Sequence, residues 1–180
     1  MIWWIAAVVI VLDQLTKLWA VRALSPDPNR AITIIPNFLQ LAWATNQGGA
    51  AGLLHHHPQL LTLLSLAALG IILWWAHTVP LGEKLARFGF GLILGGAMGN
   101  LLDRLFRGGF VLHTYVVDFI DAHWYYRIHW PTFNVADSCI CIGIAIVLLA
   151  HLRPQHHTLA AQPQETKTAA TAETDQTSAS

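Results

Sequence analysis

KLARFGFGLILGGAMGNLLDRL, residues 84–105, is an apolar stretch that ends in a polar stripe. It is close to the roughly 20 residues an apolar helix needs to cross a bilayer. Gly95 and Gly99 form a small-xxx-small pair, which lets two helices approach closely. At its end, Asn100, Asp103, Arg104 and Arg107 fall at i, i+3, i+4 and i+7, so they share one face. The stretch therefore predicts a membrane-crossing helix with a close-packed side and a polar end. That polar stripe reads either as a plain span end or as a hydrogen-bonding wall around a site, and the two readings are compatible.

Three other stretches share this character: residues 1–23, 59–77 and 134–152. The first has no basic leading region, and Asp13 and Lys17 interrupt its apolar core. It therefore reads as a retained span, not a cleaved signal peptide. Composition agrees with a membrane setting. The chain has 180 residues, 54% hydrophobic and 11% charged, with mean hydropathy +0.48, whereas a soluble domain carries about 25% charge. A formal net charge of zero gives no reason to expect nucleic-acid binding. Several of the eight tryptophans lie near span ends (Trp3, Trp4, Trp19, Trp74, Trp75, Trp124, Trp130), where such rings favour the membrane–water interface.

Two segments between spans, 24–58 and 106–133, fall on one side of the membrane because there are four spans. In the first, Ile32–Ile35 and Phe38–Trp43 read as short strands after the turn residues Ser25-Pro26-Asp27-Pro28-Asn29. In the second, a β-like run covers Val111–Ile120. The Thr-, Ala- and Gln-rich tail, 154–180, reads as disordered. The fold expected is a mainly α membrane protein, with four transmembrane helices and a small extramembrane β-rich part. A count of basic residues alone would place the tail outside the cell, although Lys17 and Arg104 belong to polar clusters.

Two carboxylates stand out. Asp118 sits inside Val116-Val117-Asp118-Phe119-Ile120, and Asp137 follows Phe133-Asn134-Val135-Ala136 at the edge of the last span. An ionisable group at that depth is costly and marks a functional site by default. Two that meet in one site make a carboxylate dyad of the aspartic-protease type. Asp137 has a plain alternative role, since Asn134 and Asp137 have the spacing of a capping box with Asp in place of Glu. Asp118 has no such role. A helix N-terminus favours the charged form of Asp137, and an apolar strand favours the protonated form of Asp118.

Asp13 and Lys17, at i and i+4, share a helix face and read as a supporting ion pair. Asn46–Gly52 offers exposed backbone, as a loop or a close-approach surface. His55, His56 and His57 do not face one way on a helix, so no metal site is expected. Cys139 and Cys141 read as small buried hydrophobes. No serine stands in a motif that Lys17 could activate.

These residues resemble the lipoprotein signal peptidase, or signal peptidase II, family. The similar motifs are Asp13-Gln14-x-Thr16-Lys17, Asn46-x-Gly48, Gly95-Gly96-Ala97-x-Gly99-Asn100-x-x-Asp103-Arg104, Val116-Val117-Asp118-Phe119 and Phe133-Asn134-x-Ala136-Asp137-Ser138. They occur in the family's order over about residues 10–145. The resemblance implies a bacterial inner-membrane aspartic endopeptidase that cuts prolipoproteins just before a diacylglyceryl-modified cysteine. It implies Asp118 and Asp137 as catalytic residues. It also implies Asn46, Gly48, Asn100, Arg104 and Asn134 as site-shaping or substrate-contacting positions, with Asp13, Lys17 and Asp103 in support. Both termini would be cytoplasmic and the site periplasmic, contrary to the basic-residue count. Partners expected are the prolipoprotein and membrane lipid, with no cofactor, metal or nucleic acid, and a monomer. The chain departs from the family at Ala51, often an aromatic there, in a longer stretch between Arg104 and Asp118, and in its polar tail. The competing reading from the residues is a small proton-coupled transporter, since carboxylates in spans also mark ion paths. Carriers usually show internal repeats and midplane sites, and neither is visible here.

Overall fold

A computed structural model of the chain describes residues 1–24, 27–47, 57–107, 115–125 and 128–152. The four apolar stretches form four helices: α1 (Ile2–Leu24), α2 (Pro58–Thr78), α3 (Lys84–Phe106) and α4 (Val135–Leu152). Each is long and apolar enough to cross a membrane. All four coincide with the expected spans to within a residue or two. The tail, His55, His56 and residues 108–114 lie outside the described residues, as do Gly48 and Ala51.

Helix α3 is the centre, packed against α1, α2 and α4. Its glycines explain why. A Cβ on Gly96 would collide with the Ala136 carbonyl of α4, so only glycine permits that approach. Leu94, Phe90 and Ala86 join Ile2 and Ala6 of α1 and Val147 of α4 in the helical core. The outer helices keep much of their apolar surface exposed, including Leu63, Trp74, Leu148 and Leu149. Such faces suit lipid, which is as apolar as they are. The exposed tryptophans fall at the two ends. Trp3 lies 5.8 Å from the ring of His77, which puts the start of α1 beside the end of α2. Trp19, Trp124 and Trp130 are exposed further along, at the end of α1 and on the extramembrane part.

That extramembrane part is a four-stranded antiparallel sheet in the order β1-β2-β3-β4, with β1 Ile32–Ile35, β2 Leu39–Asn46, β3 Val116–Trp124 and β4 Ile128–His129. The strand expected across 111–120 starts instead at Val116 and continues to Trp124, and 111–114 are not described. The polar Asp121 and His123 hid that continuation from a pattern search. Residues of β3 alternate between two faces. Val117 and Phe119 pack on Ala20 and Leu24 of α1, while Asp118 takes the opposite direction. The β2–β3 register slips by one residue between Leu41 and Ala44, beside Asp118. Bulges of this kind re-aim side chains next to active sites.

One junction sets the position of the last helix. Phe133 N donates to Ile120 O at 3.0 Å, and Phe119 N and Ile120 N both donate to Phe133 O, at 3.1 and 2.8 Å. The chain entering α4 is thereby laced to β3, which brings the first turn of α4 to the strand that carries Asp118.

Candidate active site

The first turn of α4 is built around Asn134. Its Oδ1 accepts from Asp137 N at 2.9 Å, and its own backbone N donates to Asp137 Oδ2 at 3.2 Å. This is the reciprocal capping box that the spacing suggested. Capping and site are not alternatives, because the same Asn134 faces the other carboxylate. Its Nδ2 donates to Asp118 Oδ1 at 2.7 Å and lies 3.1 Å from Asn100 Oδ1. Asn100 in turn donates through Nδ2 to Asp137 Oδ1 at 2.7 Å. Asp118 and Asp137 therefore share one amide neighbour and belong to one polar cluster.

A buried charge network holds this cluster from below. Asp13, Lys17 and Asp103 have no exposed side-chain surface. Lys17 Nζ has three donors and finds three acceptors: Asp13 Oδ2 at 2.9 Å, Asn100 Oδ1 at 2.9 Å and Asp103 Oδ2 at 3.1 Å. Asp103 also accepts from Arg107 Nε at 2.7 Å, Gln14 Nε2 at 3.2 Å and the backbone N of Val117 at 3.1 Å. Asp13 Oδ1 accepts from Ala136 N at 3.0 Å. Each buried charge is thus paired and hydrogen-bonded, the condition under which burial is tolerable. The network also aims the two carboxylates. Asp103 grips the start of β3 one residue before Asp118, and Asp13 grips α4 one residue before Asp137. Lys17, one of the basic residues in that count, is thus held by carboxylates of the network.

At this site two buried atoms stay without a hydrogen-bond partner among the described residues: Asp118 Oδ2 and Arg104 Nη1. Arg104 is nearly buried and within electrostatic reach of Asp118, Asp137 and Asp103. Orphaned buried groups are rare in folded proteins, and a catalytic role is one of the few explanations for them. Asp118 is also unusual in its proton affinity. Burial, and then the negative charge of Asp137, push its pKa up to about 7, against the opposing pull of the Asn46 and Asn134 amides. The direction is the one expected for a carboxyl group set in the apolar strand.

The expected residues Asp13, Lys17, Asn46, Asn100, Asp103, Arg104, Asp118, Asn134 and Asp137 all converge here; Gly48 is not among the described residues. Sequence reasoning gave no role to Gln14, which bridges Asp13 Oδ2, Gly99 O and Asp103 Oδ1. Its position beside Asp13 in the quoted motif was the available signal. Cys139 and Cys141 are free thiols on α4. Cys141 is exposed and Cys139 half-buried, so the expectation of small buried hydrophobes is wrong for Cys141, which sits on an outward face of a peripheral helix.

Comparison with known proteins agrees with the geometry. The family model for signal peptidase (SPase) II matches residues 5–153. A lipoprotein signal peptidase of Syntrophotalea carbinolica is 40% identical over 152 residues, covering 83% of this chain and 89% of that protein. One of Geobacillus kaustophilus is 39% identical over 150 residues, covering 83% and 91%. A bacterial membrane enzyme solved by the in meso method at 2.3 Å resolution superposes with a TM-score of 0.71 at 26% identity, covering 88% of this chain and 91% of that one. With the two carboxylates on α4 and β3 of a four-helix membrane fold, the chain belongs to the signal peptidase II family.

Proposed function

We propose that the protein removes the signal peptide from bacterial prolipoproteins, cutting just before a diacylglyceryl-modified cysteine, with Asp118 and Asp137 as the catalytic pair. Family membership makes the chain a membrane peptidase and sets aside the transporter reading. The observation that carries the catalytic assignment is the amide of Asn134, which caps Asp137 and hydrogen-bonds Asp118 at 2.7 Å.

The chemistry follows from the unequal environments. Asp137, with both oxygens accepting hydrogen bonds from amides, takes a proton from the attacking water. Asp118, whose pKa of about 7 leaves it substantially protonated at neutral pH, donates to the scissile carbonyl oxygen as the water oxygen bonds to carbon. Collapse of the tetrahedral intermediate breaks the C–N bond, and a proton passes to the leaving amine. Opposed carboxylate environments of this sort assign acid and base. Arg104 Nη1, without a hydrogen-bond partner among the described residues, supplies a donor for a backbone carbonyl of the substrate, and Asn46 and Asn100 shape the walls. No metal or cofactor enters these steps.

In this reading the helices lie in the bacterial inner membrane with both termini cytoplasmic. The sheet and site face the periplasm, where water reaches the dyad and the acyl chains of the substrate stay in lipid. The enzyme works as a monomer in contact with membrane lipid. Burial of acyl chains contributes roughly 0.8 kcal/mol per CH₂, so lipidated precursor is strongly preferred. The test is cleavage of a diacylglyceryl-modified prolipoprotein by wild type, Asp118→Asn and Asp137→Asn in detergent. Activity in the wild type alone supports the assignment. Normal cleavage by either variant overturns it.

A further inference from the structure

On the opposite face of β3 from Asp118 lies a second cluster of chemistry-bearing side chains. The strand runs Asp121-Ala122-His123, and His123 pairs across to His129 of β4. Residues i and i+2 of a strand share a face, and the residue opposite joins them at about 5 Å between Cβ atoms. The register therefore delivers one carboxylate and two imidazoles to one spot. Asp121, His123 and His129 each offer one ligand atom, and these atoms all lie within 4.8 Å of one another.

The distances have a specific pattern. His123 Nδ1 is 3.7 Å from Asp121 Oδ2, and His129 Nδ1 is 3.9 Å from Asp121 Oδ1. Both are too long for a hydrogen bond between those atoms. They are close to the spacing of about 3.4 Å that two ligands adopt when each sits about 2.0–2.1 Å from one tetrahedral zinc ion. The two imidazoles stack at 5.3 Å and 28°, with the carboxylate reaching toward both. Gln40 Nε2 donates to Asp121 Oδ2 at 2.5 Å. Such an outer hydrogen bond fixes a ligating carboxylate in orientation. Asp121 and His123 are buried, whereas His129 is exposed, so an ion can enter and the last ligand can close on it.

We propose that Asp121, His123 and His129 form a binding site for a divalent transition ion of the Zn²⁺ class. Two imidazoles and one carboxylate suit such ions, and a fourth position stays open to water. A bound ion would staple β4 to β3. The site faces away from the carboxylate pair, and its occupancy is a separate question from peptide cleavage.

The test uses the full chain without an affinity tag, in detergent, titrated with Zn²⁺ by calorimetry and with Co²⁺ by visible absorption. The variants are His129→Ala, Asp121→Asn and, as a control for the histidine run, His55→Gln/His56→Gln/His57→Gln. His129 is exposed, so its removal leaves folding intact, and retained peptidase activity checks this. The wild type is expected to bind one equivalent with the absorption of a nitrogen- and oxygen-ligated tetrahedral Co²⁺. His129→Ala and Asp121→Asn should weaken binding by at least about tenfold, as loss of even an outer-shell partner can. The triple variant should bind as the wild type does. Absence of binding by the wild type overturns the proposal, as does unchanged affinity in folded His129→Ala. Loss confined to the triple variant, or a thiolate charge-transfer band from Cys139 or Cys141, overturns it too.

Discussion

Asn134 Nδ2 stands 2.7 Å from Asp118 Oδ1, although Asn134 belongs to the cap of α4 and Asp118 to the middle of β3. A single amide thus ends one element and addresses a carboxylate of another. Its bond favours the charged form of Asp118. Removing it in Asn134→Ala raises the Asp118 pKa above its present value of about 7. If Asp118 acts as the acid, activity falls as pH rises through that pKa. The high-pH limb of kcat/KM should then move to higher pH in the variant while the maximum falls. Loss of the cap and the buried bond should also cost about 1–3 kcal/mol of stability. A high-pH limb that stays in place would show that Asn134 does not tune Asp118.

The raised proton affinity of Asp118 has a consequence for stability. Its ordinary carboxylate pKa of 3.8 applies to the unfolded chain, and about 7 to the folded one. Between these values the folded state binds the proton and the unfolded state does not. The folded state is therefore favoured at low pH by this group, and that contribution is lost as pH rises toward and past 7. Asp118→Asn removes the titration. The variant should be more thermally stable than the wild type at pH 8, by roughly 1–3 kcal/mol, and the gap should shrink toward pH 5. Melting curves of both proteins in the same detergent across this range decide it. A gap that does not vary with pH would mean that Asp118 does not titrate as described.

Infrared spectra offer a direct view of the same proton. A protonated carboxyl absorbs apart from a carboxylate. A carboxyl band that titrates near pH 7 should be present in the wild type and missing from Asp118→Asn. Persistence of that band in the variant would assign the proton to another carboxyl group.

The four helices and the two carboxylates were legible because each leaves a local mark. Twenty apolar residues cannot easily be anything but a span, and an Asp in Val116-Val117-Asp118-Phe119-Ile120 has no surface role to explain it. The capping signal at Asn134 and Asp137 was equally local, but sequence set it against the site, whereas the structure gives one asparagine both tasks. The contacts that aim the site were not legible. Nothing near Asp103 in the chain says that it will hold Val117 N, or that Asp13 will hold Ala136 N 123 residues away. Likewise, Asp121, His123 and His129 become one cluster only through the β3–β4 register, which the run of three histidines at 55–57 overshadowed.

Lys17 is the hub of the buried network, and its loss should be costly. Lys17→Met keeps the volume and apolar stem but leaves Asp13 and Asp103 without their shared cation. Removing one partner of a buried ion pair typically costs about 3–5 kcal/mol. The variant should unfold at a clearly lower temperature, and Asp13→Asn added to Lys17→Met should recover part of the loss by removing an uncompensated charge. If the single variant melts with the wild type, the network is not carrying the stability assigned to it.

Gly99 tests how closely that network is packed. A Cβ at this position would lie 2.5 Å from Asp13 Oδ2 and 3.1 Å from its Cγ. Asp13 cannot retreat cheaply, because it also holds Lys17 and the backbone N of Ala136. Gly99→Ala must therefore push α1 from α3 or break the contact to α4. Overpacking of this kind costs about 1–3 kcal/mol. The effect on cleavage should be larger than that on stability, since a shift of α4 carries Asp137 with it, and misplacement by about 1 Å can cost on the order of 100-fold in rate. Gly82→Ala is the control, because an added Cβ there meets nothing within 4 Å. The expected result is wild-type cleavage for Gly82→Ala and a kcat lowered by at least about tenfold for folded Gly99→Ala. Equal kcat in the two variants would show that Asp137 does not depend on the contact between Asp13 and α4.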